Sequence, residues 1–205
     1  MNKTKRNEVF TTSILGLMLA LIFLFWYGIG TIDLGFISIT LSCLPVIIGT
    51  MALGLDDGFV LGVCFGGVSF FSAMMAPKGL VAPIFAVSPL WVAVLCFVPR
   101  LLVPIMTSFV MSLVQKKKGS RALILPAVAG SLTNTVFFLG FIVIMYGLLS
   151  VDSAAVMASI GKPDSTLMGL VGLTVLVGGI PEAIVAGLVC PPVIYALKKA
   201  HFIET

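Results

Sequence analysis

Six apolar runs decide which solvent this chain folds in. They cover residues 9–30, 36–55, 59–75, 89–114, 122–149 and 167–197. Each falls within or above the span of about 17–25 residues that carries a helix across a bilayer. Only 10% of the 205 residues are charged, 60% are hydrophobic and the mean hydropathy is +1.21, whereas a soluble domain carries about 25% charged residues. The expectation is an all-α integral membrane protein, a single domain over 1–205 with six transmembrane helices. No stretch remains for a soluble catalytic or ATPase domain. The first run is longer than the apolar core of a signal peptide, about 7–15 residues, and lacks a small-x-small cleavage site, so it reads as a retained helix. Phe25-Trp26-Tyr27 at its end reads as an interfacial anchor.

Basic residues set the orientation. Lys3, Lys5, Arg6, Lys116, Lys117, Lys118, Arg121, Lys198 and Lys199 fall on one side of such a bundle, and Lys78 and Lys162 on the other. That bias places both termini in the cytoplasm. The 30–35 segment then makes a short outer loop. The 76–88 segment, with Pro77, Pro83 and Gly79, makes an irregular outer lid, and 151–166 a polar outer loop. The third run is rich in glycine and serine, which let helices or a ligand approach closely. Pro191-Pro192 is expected to kink the end of the last span.

The twelfth basic residue is Arg100, inside the fourth run and next to Pro99. A cation at that depth costs at least a few kcal/mol. Two other strong polar residues lie deep, Asn134 in the fifth run and Glu182 in the sixth. Arg100 is 16 residues from Lys116, Asn134 is 13 from Arg121 and Glu182 is 16 from Lys198. At 1.5 Å per residue these depths are roughly 24, 20 and 24 Å, close to one level. Three helices bringing a cation, an amide and an acid to one depth suggest a single site, with Arg100 holding a substrate carboxylate and Asn134 and Glu182 holding hydroxyl or amide groups. The other reading is an Arg100–Glu182 ion pair that only ties two helices together. Thr133 lies in the small polar segment around Asn134, and Glu182 follows Gly178-Gly179-Ile180-Pro181, expected to be a helix break. Gly67, Phe70 and Phe138 are candidate walls, with core or lipid packing as the alternative for the two phenylalanines. Cys43, Cys64, Cys96 and Cys190 share no metal-ligand spacing and read as packing residues. The one histidine, His201, reads as a solvated tail residue. Gly16 and Ala20 form a small-xxx-small pair in the first span, fit for a close helix contact within the chain or with a partner.

On these residues the chain resembles the substrate-binding S components of energy-coupling factor (ECF) vitamin transporters, most closely the pantothenate-specific type. The resemblance rests on Gly35-Phe36-Ile37-Ser38-Ile39-Thr40, Leu44-Pro45-Val46-Ile47-Ile48-Gly49, Phe97-Val98-Pro99-Arg100, Gly130-Ser131-Leu132-Thr133-Asn134-Thr135 and Gly179-Ile180-Pro181-Glu182-Ala183. It implies a multi-pass protein of a bacterial cell membrane that captures a vitamin from outside. It also implies docking on a transmembrane coupling subunit that carries two cytoplasmic ATPase subunits, and release of the vitamin by reorientation. ATP and magnesium would belong to those partners, with no cofactor or metal on this chain. Gly16 and Ala20 would correspond to the family's alanine-x-x-x-alanine docking motif. Pantothenate offers a carboxylate, an amide and hydroxyls to Arg100, Asn134 and Glu182. Another small anionic vitamin would satisfy the same groups. An independent solute carrier or channel is a second reading. A membrane enzyme is a third, but the chain offers one deep acid and no deep histidine for a catalytic pair.

Overall fold

The computed structural model describes residues 3–27, 31–33, 38–114 and 120–199. Lys116, Lys117, Lys118, Gly30, Gly35, Phe36 and His201 lie outside them. Helix α1 is Lys3–Tyr27. Strands β1 (Thr31–Asp33) and β2 (Ser38–Thr40) then pair antiparallel, with Ile32 opposite Ile39. A short helix α2 (Cys43–Leu53) follows, and Gly54, with φ of 109°, turns the chain into α3 (Leu55–Met75). A 3-10 turn at Gly79–Val81 leads into α4 (Ala82–Val87) and α5 (Pro89–Val114). A second such turn at Ser120–Leu123 precedes α6 (Ile124–Leu148), and α7 is Ser153–Ser159. Helix α8 (Leu167–Thr174), a π-helical turn (Val175–Gly179) and α9 (Ile180–Lys199) form one continuous rod.

Five of these helical stretches are long and apolar enough to cross a membrane, and α2 is a shorter apolar helix. Large apolar side chains such as Leu17, Phe71, Phe109, Leu113, Leu148 and Leu188 lie exposed on them. In water that exterior would aggregate; against lipid it is the ordinary solvent face. The chain is a multi-pass membrane protein.

The second expected helix starts late. Residues 38–40 form a strand, and α2 begins only at Cys43. The Ile37-Ser38-Ile39-Thr40 stretch alternates apolar and polar residues and is rich in β-branched ones, a period-two pattern that suits a strand. Eleven residues give α2 a length of roughly 16 Å, about half a bilayer core. Every residue from Cys43 to Ala52 is buried, and α1, α3, α5, α6 and α9 all pack on α2.

The core falls into two apolar clusters. One surrounds α2 and takes in Ile14, Met18, Ile47, Leu61, Phe65 and Cys190. The other lies where α5 begins and α6 ends. There Leu80 and Ile84 of the expected lid, and Val156 and Met157 of α7, are buried against Leu95, Ile142 and Met145. The 76–88 segment is thus more ordered than an irregular loop. Pro83 sits in the first turn of α4, where no backbone donor is needed. The Tyr146 hydroxyl donates to the Leu80 carbonyl at 3.0 Å and ties the segment to α6. The Asp152 side chain caps α7 by accepting from the Ala154 and Ala155 amides.

Candidate functional site

Pro99 and Pro104 both lie inside α5. A proline donates no backbone hydrogen bond, so each frees the carbonyl four residues back: those of Leu95 and Arg100. The Leu95 carbonyl accepts a hydrogen bond from Arg100 Nη1 at 3.0 Å. The Arg100 carbonyl faces α3 at Gly62, where a Cβ would come within 2.9 Å of that oxygen. Only glycine lets the two backbones meet there. The defect that Pro99 makes is therefore filled by the side chain of the next residue.

Arg100 is 5% exposed. Helical side chains lean toward the N-terminus, and this one leans toward the second cluster. Its Nη2 donates to Ser69 Oγ of α3 at 3.2 Å. Its Cζ lies 4.5 Å from the Phe138 ring centroid and 5.2 Å from that of Phe65. Phe65 belongs to the first cluster and Phe138 packs on the second, so the guanidinium occupies the seam between the two cores. Ring faces attract cations, by about 2 kcal/mol or more when water is excluded. A guanidinium has five N–H donors, and Nε is buried with no partner among the described residues.

Glu182 is buried in the first turn of α9, and its Oε1 accepts a hydrogen bond from the Cys43 thiol at 2.7 Å. Cys43 is the first residue of α2. Ser131 of α6 and Cys190 of α9 lie beside that thiol, although the Ser131 hydroxyl is not aligned for a hydrogen bond. No ion pair joins Arg100 to Glu182 among the described residues. The two charges act on each other without touching.

Packing partners give the relative depths. Thr107 of α5 meets Gly130 of α6, and Arg100 meets Phe138. On the other flank Gly179 meets Thr135 and Gly187 meets Val128, which sets Glu182 level with about Thr133. Arg100 and Glu182 are offset by about one helical turn, roughly 5–8 Å along the axis. Asn134 lies one turn from Phe138 on the same face of α6. It is half-buried, and its Oδ1 is without a partner among the described residues. With Arg100 Nε, Thr107 Oγ1 and Ser131 Oγ, it completes a set of four buried polar atoms that lack partners among the described residues, all on α5 or α6.

The other sequence candidates are placed less centrally. The Thr133 hydroxyl folds back on the Ala129 carbonyl at 2.7 Å. Gly67 is half-buried with open space around its Cα. Phe70 packs against Phe97, with centroids 6.2 Å apart, rather than against Arg100. Gly16 and Ala20 are exposed on α1, and nothing lies within 4 Å of a Cβ built on Gly16. The expected helix break before Glu182 is not a break. The chain stays helical and widens into a π turn over Val175–Gly179, ahead of Pro181. Phe65, Ser69 and Cys43 touch the two deep charges and were not singled out by sequence. Phe65 and Ser69 are spaced i, i+4 on α3, a spacing that puts both on one face. Nothing in the sequence distinguishes Cys43 from a packing cysteine.

Apart from one short strand pair, the structure is a helical bundle with a lipid-facing exterior and a cation at its seam, and the sequence identifies its family. Residues 12–194 match the family described as ECF transporter, substrate-specific component, and the chain belongs to that family. It is 30% identical over 210 residues to the pantothenic acid transporter PanT of Lactococcus lactis subsp. cremoris (strain MG1363), an alignment that covers 98% of each protein.

Proposed function

We propose that this chain is the pantothenate-binding S component of an ECF importer. Arg100 anchors the vitamin's carboxylate, and Asn134 and Glu182 take its amide and hydroxyl groups. The observation that carries this reading is the buried Arg100 Nε without a partner among the described residues, on a guanidinium held at the seam by Ser69, the Leu95 carbonyl and two rings. It is supported by the near full-length likeness to a pantothenic acid transporter. A positioned cation with unused donors suits an anion that arrives from outside the protein.

In this reading α2 is the sixth membrane-embedded helix, both termini face the cytoplasm, and the second cluster is the outer cap over the site. The exposed face of α1 at Gly16 and Ala20 docks on the coupling subunit. Two ATPase subunits bound to that partner hydrolyse ATP with magnesium, and the S component reorients to release the vitamin inside.

Calorimetry on the detergent-purified chain tests the assignment. Pantothenate is expected to bind the wild type. Arg100→Ala should lose roughly 2–5 kcal/mol, about 30-fold to several-thousand-fold in affinity, as when one partner of a buried charge pair is removed. Unchanged affinity in a folded Arg100→Ala protein removes Arg100 as the anchor. Failure of the wild type to bind pantothenate while another anionic vitamin binds reassigns the substrate.

A further inference from the structure

The deep charges of the bundle come as one of each sign. Arg100 stays protonated at any ordinary pH. Its counter-charge within the buried centre is Glu182, one turn away and not in contact. The Cys43 thiol donates to Glu182 Oε1. The other elements packed on Glu182 add no charge at this depth. Helix α6 carries no charged residue, and neither does the π turn. Helix α2 offers only the Cys43 thiol, and α9 adds Cys190 beside it. Lys198 and Lys199 lie at the far end of α9, and the Ser120–Leu123 turn also packs at that end. Cys96, a thiol next to Arg100, is the remaining titratable neighbour. With Glu182 as its carboxylate, the empty site is balanced, one positive charge against one negative.

An anionic ligand breaks that balance. Its carboxylate on Arg100 would leave one positive and two negative charges in a water-poor centre, where an uncompensated charge is strongly disfavoured. Two carboxylates near one cation resolve this by sharing a proton.

We propose that the site takes up one proton from solvent, on Glu182, with each anionic ligand it binds. The neutral Glu182 then turns from acceptor to donor toward the ligand's amide or hydroxyl oxygen, about one turn from the carboxylate on Arg100. Cys43 keeps the other Glu182 oxygen in place. This rests on the reading that Arg100 anchors a carboxylate. The sign follows from linkage: the bound state holds one more proton than the free state, so rising pH opposes binding. Affinity should fall about tenfold per pH unit once the free site is fully ionised.

Calorimetry of pantothenate binding to the full chain at pH 8, repeated in buffers of different ionisation enthalpy, tests this. The expected slope of binding enthalpy against buffer enthalpy corresponds to about one proton taken up. The primary alcohol obtained by reducing the ligand's carboxylate should bind the wild type with a slope near zero. In Glu182→Gln, whatever affinity remains should not vary with pH. Tight pantothenate binding with no proton uptake overturns the inference and leaves the function standing, as does an equal slope for the alcohol. No pantothenate binding at all overturns the proposed function and this inference together.

Discussion

Arg100 and Cys43 show how a single residue can hold two parts of this protein at once. Arg100 satisfies the carbonyl freed by its own neighbour, Pro99, and still has a buried donor left over. Cys43 opens α2 and fixes Glu182 of α9, 139 residues away. Removing its sulfur should leave Glu182 Oε1 without its donor, and buried acceptors cost about 1–3 kcal/mol when stranded. Cys43→Ala is therefore expected to weaken pantothenate binding about tenfold, and Cys43→Ser to recover most of the loss. Calorimetry on both variants checks this, and equal affinities for Ala and Ser would show that the donor is irrelevant. Arg100, Asn134 and Glu182 could be singled out from sequence because charge and amide stand out in an apolar run. Cys43 could not, because a cysteine there looks the same whether it packs or donates. Ser69 and Phe65 were hidden for a similar reason: serine and phenylalanine are ordinary in a membrane helix, and only the neighbouring helix shows that they face a cation.

Among the elements, the long apolar runs carry their own lengths, which is why α5 spans Pro89–Val114 and α6 spans Ile124–Leu148, close to the limits read from hydropathy alone. Helix α2 starts later than hydropathy places it because the 37–40 alternation merges into the apolar run that follows. Gly-Gly-x-Pro reads as a break because it disfavours an α-helix; a wider helical turn accommodates the same residues. In α5 the proline itself is the testable part. Pro99→Ala would restore a backbone donor to the Leu95 carbonyl and displace Arg100 Nη1. Interior prolines cost a helix about 3 kcal/mol, so the variant should unfold at a higher temperature, by about 2–4 °C for each kcal/mol recovered. Its affinity for pantothenate should nevertheless fall several-fold, because the guanidinium loses one of its two hydrogen bonds. Thermal unfolding in detergent together with calorimetry would separate the two effects. Unchanged stability would mean that the proline costs the helix nothing.

At the scale of the whole molecule, depth counting from the basic residues put Arg100, Asn134 and Glu182 on one level. The packed helices resolve this into a step of about one turn, because each helix meets its neighbours at its own register. Docking is also a property of the whole surface. Ala20→Trp on the open face of α1 should leave pantothenate affinity unchanged and prevent assembly with the coupling subunit. Co-purification of the complex checks this, and a variant that still assembles and transports would place the docking face elsewhere. Helix α2 bears on how such a bundle is made. An 11-residue apolar helix is too short for the insertion machinery to recognise as a span by itself. Its walls include α5, α6 and α9, which emerge from the ribosome later. During synthesis α2 must therefore wait, held only by α1 and α3, until the C-terminal half arrives to enclose it. Helices α5, α6 and α9 thus complete the core around a helix made before them.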